Sequence, residues 1–478
     1  MSIETAVNTH VDKEAAPAAE ARRRGTNPIV VLLGILLLAT GLTYVVESGI
    51  YERDGKLVVP GSYRTLEKDA SFMQLFSLPA DAVPGRAQPV SLIDAAMTIP
   101  AGLEKTAGLI FMVLIIGGMF GILNHSGAVE LGMERLLALV RGNVYVLVSL
   151  LMMVFGAGST FLGLASEYLL VIPLMVALAN RLGLSNLIGL AIVTVAVKAG
   201  YLSSVTNPLP LSIAQPLVGV QVFSGAGLRF AFFLVFLTLG IAFVLLAIRR
   251  SGFRADATFT FLAQPLSGRQ SVTLLVLVAG IAFLVFGANH WQWHHRELSA
   301  YYIGLSIALA AVAGLGASEA AEAFVRGMKK VLMAAVLIGV ASAVAITLQQ
   351  GQVLDAIVHG LSTLIGDGGA TVAAVSMFAS QLLLDFLIPS TSGQAAVSMP
   401  IMGPLGQLAG VQPQTTVLAF LFGNGITNML TPTSGTLLAY LATARVGWGE
   451  WAKFIFPLWL LFIAVASALL IFAVAIGY

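Results

Sequence analysis

Long apolar runs, separated by short polar stretches, cover most of this chain of 478 residues. A helix that crosses a bilayer needs roughly 20 mostly apolar residues. Nine stretches could each supply such a helix: 28–47, 107–124, 186–220, 228–248, 271–289, 300–317, 331–348, 415–444 and 453–476. The pattern therefore predicts an all-α polytopic membrane protein with about nine spans.

Two further apolar stretches, 143–182 and 370–409, are too long for one span. Each has a polar centre that contains glycine, "GAGSTFLGLASE" (156–167) in the first and "DFLIPSTSGQ" (385–394) in the second. We interpret both as re-entrant hairpins. Irregular backbone at membrane depth is tolerated only where protein or a water-lined cavity covers it, so each hairpin tip is a candidate site.

A weak repeat of about 225 residues runs through the chain. Four pairs of segments align in order: 127–143 with 351–367, 172–185 with 399–412, 200–210 with 425–435, and 229–237 with 453–461. The leading spans of the two copies, 107–124 and 331–348, would cross the membrane in opposite directions. Such an inverted-topology repeat is typical of secondary transporters, which bind substrate near the midplane where discontinuous helices meet.

Prolines and glycines interrupt one apolar run in each copy. Pro208 and Pro432 each remove a backbone donor, so we expect 186–220 and 415–444 to form discontinuous helices. A break exposes carbonyl groups at one half-helix end and N–H groups at the other. Carbonyl and side-chain oxygens suit a cation such as Na⁺, while the N–H ends suit a carboxylate.

The candidate site residues lie at these breaks and at the second hairpin tip. For substrate they are Ser203, Ser204, Thr206, Asn207, Ser390, Thr391, Ser392, Gly393, Asn428, Thr431, Thr433, Ser434 and Lys198. The candidate Na⁺ ligands are Asn207, Asn428, Thr431 and Ser392. The alternative is that these side chains bond to the backbone or join helices, as polar residues do in many membrane bundles. Matched clusters in both copies favour a functional role.

Three ionisable residues fall at membrane depth: Glu167, Lys198 and Asp385. Such residues are energetically costly and usually face an interior cavity together with a partner. Lys198 could pair with either acid, and the sequence does not choose between them. Alternatively, Glu167 lies at the interface and Lys198 extends to the membrane surface.

Composition excludes several classes of protein. Hydrophobic residues make up 58% of the chain and charged residues 10%, which is outside the range of soluble globular domains. The chain has no cysteine and a net charge of +2, so it offers no thiol chemistry and no argument for nucleic-acid binding. It contains no His-rich metal motif and no motif for an organic cofactor, so we expect no enzyme.

Charge distribution predicts the orientation. Clustered Arg22, Arg23 and Arg24 place the N-terminus in the cytoplasm and the C-terminus outside, as expected for a multi-pass protein of the inner membrane. Amphipathic segments 127–142 and 318–330 would lie on the cytoplasmic surface, and 351–366 on the outer surface.

The predicted organisation has five parts. These are a disordered cytoplasmic tail (1–27), first spans with an extracytoplasmic loop at 48–106 (28–126, scaffold), a first repeat (127–250), a cytoplasmic loop with scaffold spans (251–350), and a second repeat (351–478).

The segment 385–457 carries a family resemblance. "FLIPSTSGQAAVSMPIMGPLGQLAGV" followed by "FGNGITNMLTPTSGTLLAYLATARVGWGEWAKFIFPL" resembles the anaerobic four-carbon dicarboxylate carrier family, particularly its YfcC-like branch, whose members are often named as basic amino acid antiporters. "TNPLPLSIAQ" (206–215) is a weaker match. More distantly, the pattern resembles the ion transporter superfamily, in which Ser-Asn-Thr motifs beside hairpin tips hold Na⁺ and a substrate carboxylate.

The resemblance implies a homodimer in which each protomer has a scaffold and an elevator-like transport domain. The leading hypothesis is a secondary active transporter of a small carboxylate-bearing metabolite, a dicarboxylate or related organic anion, coupled to Na⁺ or H⁺ or working by exchange. An amino-acid or peptide antiporter is the alternative. A channel is disfavoured because channels usually surround a symmetric pore rather than combining two inverted halves.

Some positions depart from the family pattern. Gln394 stands where lysine is common, and Lys198 stands where a small residue is usual. The first tip also lacks the acidic pair that is common in the branch. Lys198 could preserve a contact to the substrate anion, or it could replace a coupling cation with a fixed charge.

Overall fold

The computed structural model describes residues 28–54, 57–77, 85–127, 143–252, 267–291, 293–363, 365 and 369–478. The predicted tail (1–27) and nearly all of the amphipathic segment 127–142 lie outside the described residues. The described chain is almost entirely helical, with a few short strands confined to the segment 48–87.

The helices of the first half are α1 (Pro28–Val45), α2 (Leu92–Lys105), α3 (Ala107–His125), α4 (Val144–Leu162), α5 (Ile172–Arg181), α6 (Asn186–Ser203), α7 (Pro208–Leu217) and α8 (Ala226–Arg250). Then come α9 (Gly268–His290), α10 (His295–Ala313), α11 (Ala317–Gln350), α12 (Leu354–Thr363), α13 (Gly369–Leu387), α14 (Thr391–Leu408), α15 (Pro413–Thr427), α16 (Gly435–Thr443) and α17 (Trp448–Ala475). Two 3-10 helices span Phe72–Phe76 and Ser166–Leu170.

Each of the nine predicted spans coincides with a helix, and the two that contain the prolines are split as expected. The 186–220 run forms α6 and α7, and the 415–444 run forms α15 and α16. Within the described residues, seven segments, with α6 and α7 taken together, are long and apolar enough to cross a membrane. The prediction of an all-α polytopic membrane protein is confirmed.

The structure differs from the predicted pattern in two places. The segment 48–106, predicted as a loop, contains strands and the helix α2, whose first turn is closed by a reciprocal capping pair between Ser91 and Asp94. The segment 318–330, predicted as a separate surface helix, is the beginning of α11. No helix-ending residue separates it from the following apolar run, and α3 packs along it.

The two leading helices of the halves run in opposite directions. Helices α2 and α3 follow one another and lie antiparallel to α11, because Thr98 Oγ1 is 3.2 Å from Thr347 Oγ1 while His125 Nε2 is 2.7 Å from Glu319 Oε1. The helices approach closely through glycine: a Cβ added to Gly121 would lie 2.1 Å from the carbonyl oxygen of Ala323.

The later elements of the two halves are also paired antiparallel. Lys198 of α6 contacts Asn428 just after α15, while Asn186 at the start of α6 donates to the carbonyl of Ala444, just after α16. Helix α8 also lies antiparallel to α17, because Phe236 contacts Phe462 while Phe243, further along α8, contacts Phe454, earlier in α17, with ring centroids 5.1 Å apart in both pairs. All three pairings are those of an inverted repeat.

The repeat places the two broken helices at the centre of the molecule. Residues 188–200 of α6 are all buried, and so are residues 415–434, which include most of α15 and the break that follows it. Helices buried on every face read as continuous apolar runs without an amphipathic stripe. Polar side chains inside them therefore face protein rather than lipid.

The strands form small sheets after α1. Strand β1 (Ser48–Ile50) pairs antiparallel with β4 (Arg64–Lys68), which pairs parallel with β5 (Arg86–Ala87), while β2 (Arg53–Asp54) pairs with β3 (Leu57–Val58). Side-chain contacts join this segment to α12. The guanidinium of Arg53 lies 2.6 Å from Asp355 Oδ1, and the Tyr51 hydroxyl is 3.1 Å from His359 Nδ1. Burial, with the charge of Asp355, raises the pKa of Tyr51 to about 12.

Candidate functional site

The second break lies between α15 and α16 and is held by its own side chains. Thr431 and Thr433 bring their hydroxyl oxygens to 2.7 Å, and the Thr433 hydroxyl donates to the carbonyl of Phe386 at 2.9 Å. Ser434 caps α16 by accepting from the backbone N–H of Leu437. The break is therefore an ordered turn rather than a loose linker.

The second hairpin tip docks on this break. Helix α13 ends at Leu387, and Ser390 caps α14 by accepting from the backbone N–H of Gly393 at 3.3 Å. The Asn428 side-chain amide donates to the carbonyl of Pro389 at 3.2 Å. Ser390 and Ser392 are exposed, so the tip reaches the surface on one side and the buried break on the other.

Lys198 joins the first half of the molecule to the second break. Its Nζ lies 2.6 Å from Asn428 Oδ1, and the Ser434 hydroxyl donates to the same oxygen at 3.0 Å. Only 8% of Lys198 is exposed. Its ammonium group is therefore a nearly buried positive charge at the contact between the two broken helices.

A second polar group lies beside it. The Tyr201 hydroxyl is 2.7 Å from Thr391 Oγ1 and donates to Asn424 Oδ1. The Asn424 amide donates to Asp385 Oδ1 at 2.7 Å, while the buried Asp385 Oδ2 has no partner among the described residues. We call Lys198, Tyr201, Asp385, Asn424 and Asn428 the central cluster.

The first break is held by the first hairpin tip. Ser204 ends α6 in the left-handed conformation with φ of 40°, and the Thr206 hydroxyl donates to the carbonyl of Phe161 at 3.0 Å. Asn207 caps α7 by accepting from the backbone N–H of Leu209. Gly163 approaches Asn207 so closely that an added Cβ would lie 2.7 Å from Asn207 Oδ1.

Glu167 lies at the first tip, apart from the central cluster. Its Oε2 accepts from the backbone N–H of Ala165 at 2.8 Å, and the Tyr440 hydroxyl donates to the carbonyl of Ala165. In the part of the chain that the structure describes, no ion pair within 4.0 Å joins Lys198 to Glu167 or to Asp385. Instead, Asp385 accepts a hydrogen bond from Asn424, and Lys198 donates one to Asn428.

The predicted site residues thus form two groups, each made of one hairpin tip and one helix break, rather than a single ring. The first tip packs on the first break, the second tip packs on the second break, and Lys198 and Tyr201 link the groups. Ser203 bonds only to the carbonyl of Ala199 among the described contacts. Three of the four candidate Na⁺ ligands already have partners and the fourth is exposed: Asn207 caps a helix, Asn428 Oδ1 accepts two donors, Thr431 pairs with Thr433, and Ser392 is exposed.

A cavity of about 480 Å³ lies beside the second break, between α1, α11, α13 and α17. Apart from Thr431 and Thr433, its lining is apolar, and it includes no charged side chain. It offers no counter-charge to a carboxylate. The charged groups that could meet an anionic ligand are in the central cluster instead.

Sequence reasoning missed Tyr201, Asn424 and Arg229. Tyr201 and Asn424 carry no signal alone, because their role depends on contacts with residues far along the chain. Arg229 did carry a signal in the sequence, because it is the fourth residue of the apolar helix α8. In the structure its side chain is completely buried. A charge inside a predicted span is a functional hypothesis by default.

Two inverted halves whose broken helices meet at a buried polar cluster are typical of membrane transporters. A family model described as "C4-dicarboxylate anaerobic carrier" matches residues 27–475. The chain belongs to this family of membrane transporters.

Two relatives match over nearly their full lengths. A protein of Escherichia coli strain K12, YfcC, whose name gives it a provisional assignment as a basic amino acid antiporter, is 28% identical over 97% of this chain and 99% of its own. An uncharacterized protein of Haemophilus influenzae is 24% identical over 93% of this chain and 96% of its own.

Solved structures give more distant similarities. The YdaH transporter of Alcanivorax borkumensis aligns with a TM-score of 0.41 and 16% identity over 94% of this chain and 99% of its own. MtrF of Neisseria gonorrhoeae, described as one of a class of antimetabolite efflux pumps, aligns with a TM-score of 0.41 and 17% identity over 94% of this chain and 95% of its own.

Proposed function

We propose that the protein is a secondary active transporter of a small carboxylate-bearing metabolite, a dicarboxylate or a related organic anion. The observation that carries the proposal is the environment of the Lys198 side chain. Its ammonium group is nearly buried, it stands where the two broken helices touch, and its contact is a neutral amide rather than a carboxylate. A positive charge without a directly paired acid is available to an anion.

The substrate would enter beside the second tip and bind at the central cluster. Exposed Ser390 and Ser392 mark the open side of that tip. Lys198 would donate to one carboxylate oxygen, releasing Asn428 for a second contact. An elevator-type movement of the two hairpins and broken helices against α1, α3 and α11 would then expose the site to the other side.

An amino-acid or peptide antiporter is the second candidate, and Asp385 favours it. The buried Asp385 Oδ2 has no partner among the described residues. An amino acid presents a carboxylate and an ammonium group, which would meet Lys198 and Asp385 respectively. The name of the relative YfcC points in the same direction.

Coupling and assembly are further parts of the proposal. Transport would be driven by Na⁺ or H⁺ or by exchange, and Na⁺ at the second break would require Lys198 to leave Asn428 Oδ1. We place the protein in the inner membrane as a homodimer, with its N-terminus in the cytoplasm and its C-terminus outside. No organic cofactor and no catalytic step is part of the proposed cycle.

The direct test is uptake by the purified protein in liposomes. Four-carbon dicarboxylates, monocarboxylates and amino acids would be compared, each with and without a Na⁺ gradient, a pH gradient or a preloaded exchange partner. We expect saturable uptake of at least one carboxylate above that of empty liposomes. If no carboxylate-bearing solute is transported under any condition by a protein that is folded and correctly inserted, the proposal is rejected.

Substitutions separate the two candidates. Lys198→Ala should raise the half-saturating substrate concentration about tenfold to a hundredfold, because a charge-assisted hydrogen bond is lost. Lys453→Ala removes an exposed lysine and is the matched control.

Asp385→Asn should weaken amino-acid uptake but spare dicarboxylate uptake. If Lys198→Ala instead makes transport dependent on Na⁺, Lys198 replaces a coupling cation.

A further inference from the structure

Arg229 is a completely buried arginine whose described contacts include no acid. Its guanidinium donates to two backbone carbonyls of the first break, those of Ser204 at 3.2 Å and Val205 at 3.1 Å. The remaining contacts are the Gln414 side-chain oxygen at 3.3 Å and the Tyr478 hydroxyl at 3.2 Å. Its charge is therefore compensated by carbonyl and side-chain dipoles only.

At the second break, neutral donors cap the two equivalent backbone carbonyls. The repeat aligns Ser204 and Val205 with Met429 and Leu430, because 200–210 matches 425–435. The indole N–H of Trp451 donates to the carbonyl of Met429 and that of Trp448 to the carbonyl of Leu430, both at 2.9 Å. The repeat pairs Arg229 with Lys453, which is exposed, so the contact to the equivalent carbonyls is made instead by Trp451, two residues earlier.

The two pairs of carbonyls are thus capped alike, by a charged guanidinium at the first break and by two neutral indoles at the second, where Lys198 contacts Asn428 instead. Carbonyl groups at the C-terminal end of a half-helix carry the negative end of its dipole and attract a cation. At the first break the guanidinium already satisfies this attraction, with two N–H donors directed at two carbonyls. A guanidinium remains charged even when buried, so this cation is permanent.

We propose that Arg229 is a built-in cation that takes the place of a coupling ion at the first break. The first break then binds no Na⁺, and the candidate ligand Asn207 serves only to cap α7 and meet the first tip. Any coupling cation would bind at the second break. Because this inference rests on the proposed function, its test measures cation binding and not uptake.

The first test compares three variants in detergent. Arg229→Met removes the charge but keeps much of the volume, Arg229→Lys keeps the charge, and Trp451→Phe removes one of the two neutral donors at the other break. Apparent unfolding temperature would be measured in NaCl and in choline chloride of equal ionic strength. We expect Arg229→Met to be less stable than wild type and to gain a stabilisation specific to Na⁺. Arg229→Lys and Trp451→Phe should gain none.

A second measurement does not depend on an Arg229 variant that folds. The chain contains no cysteine, so Thr206→Cys in the otherwise native protein gives a single label at the first break. Its reaction rate with a maleimide should be the same in NaCl and in choline chloride. Slower labelling specific to Na⁺ would overturn the proposal, and so would a folded Arg229→Met variant whose stability is indifferent to Na⁺.

Discussion

Asn428 holds three segments together with one side chain. Its oxygen accepts from Lys198 and Ser434, and its amide donates to the carbonyl of Pro389 at the second tip. A buried ammonium without an acceptor is costly, because the group has lost its water. The same amide could offer an acceptor to a cation and a donor to a carboxylate, so it has both a structural and a binding role.

We predict that Asn428→Ala abolishes uptake while the protein still folds. The substitution removes the acceptor of Lys198, which should lower the free energy of unfolding by about 1–3 kcal/mol. Uptake in liposomes and thermal unfolding in detergent measure the two effects. Asn180→Ala, which removes an exposed amide, is the control, and normal uptake by Asn428→Ala would remove this residue from the site.

The packing of α3 against α11 depends on glycines rather than on large side chains. A Cβ on Gly327 would lie 2.1 Å from the carbonyl oxygen of Gly117, and one on Gly117 would lie 2.5 Å from a methyl group of Val331. Small residues allow helix backbones in a membrane to approach closely. This contact holds the leading helices of both halves, so it forms the frame against which the hairpins and broken helices would move.

Gly327→Ala should therefore destabilise the protein by about 1–3 kcal/mol, because the added methyl group meets backbone atoms that cannot rotate away. Gly304→Ala is the matched control, since no atom lies within 4 Å of the Cβ that it would add to α10. That control should be neutral or slightly stabilising. Equal unfolding temperatures for the two variants in detergent would contradict the close packing.

The orientation of the whole molecule can be tested with single cysteines. Ser77 and Ser251 are both exposed, and the proposed orientation puts Ser77 outside and Ser251 in the cytoplasm. In intact cells, a membrane-impermeant maleimide should label Ser77→Cys but not Ser251→Cys, and both should react after the membrane is opened. The reverse pattern would invert the proposed orientation.

The sequence predicted the helices and their breaks because local signals determine both. Apolar runs mark the spans, and Pro208 lies at the first position of α7, where its missing N–H costs nothing. The segment 92–105 carries three charged side chains in its first and last turns, Asp94, Glu104 and Lys105, and has Pro100 inside, so its pattern does not predict the helix α2.

The partners of the site residues could not be predicted. Lys198 and Asn428 are 230 positions apart in the chain, and only the inverted packing of α6 against α15 brings them together. The same holds for Arg229, whose carbonyl partners lie in the first break, 25 and 24 positions earlier in the chain. A periodic pattern reports which face of a helix is buried, but it does not report which polar group it meets.

The proposed function requires one substrate site between the two halves of the molecule. Two single-cysteine proteins test this requirement: Tyr201→Cys near the end of α6 and Ser392→Cys at the second tip, each labelled with a maleimide in the presence and absence of the transported carboxylate. We expect the solute to slow labelling at both positions, with a half-effective concentration similar to that for uptake. Protection at only one position, or at neither, while the same protein transports the solute would contradict it.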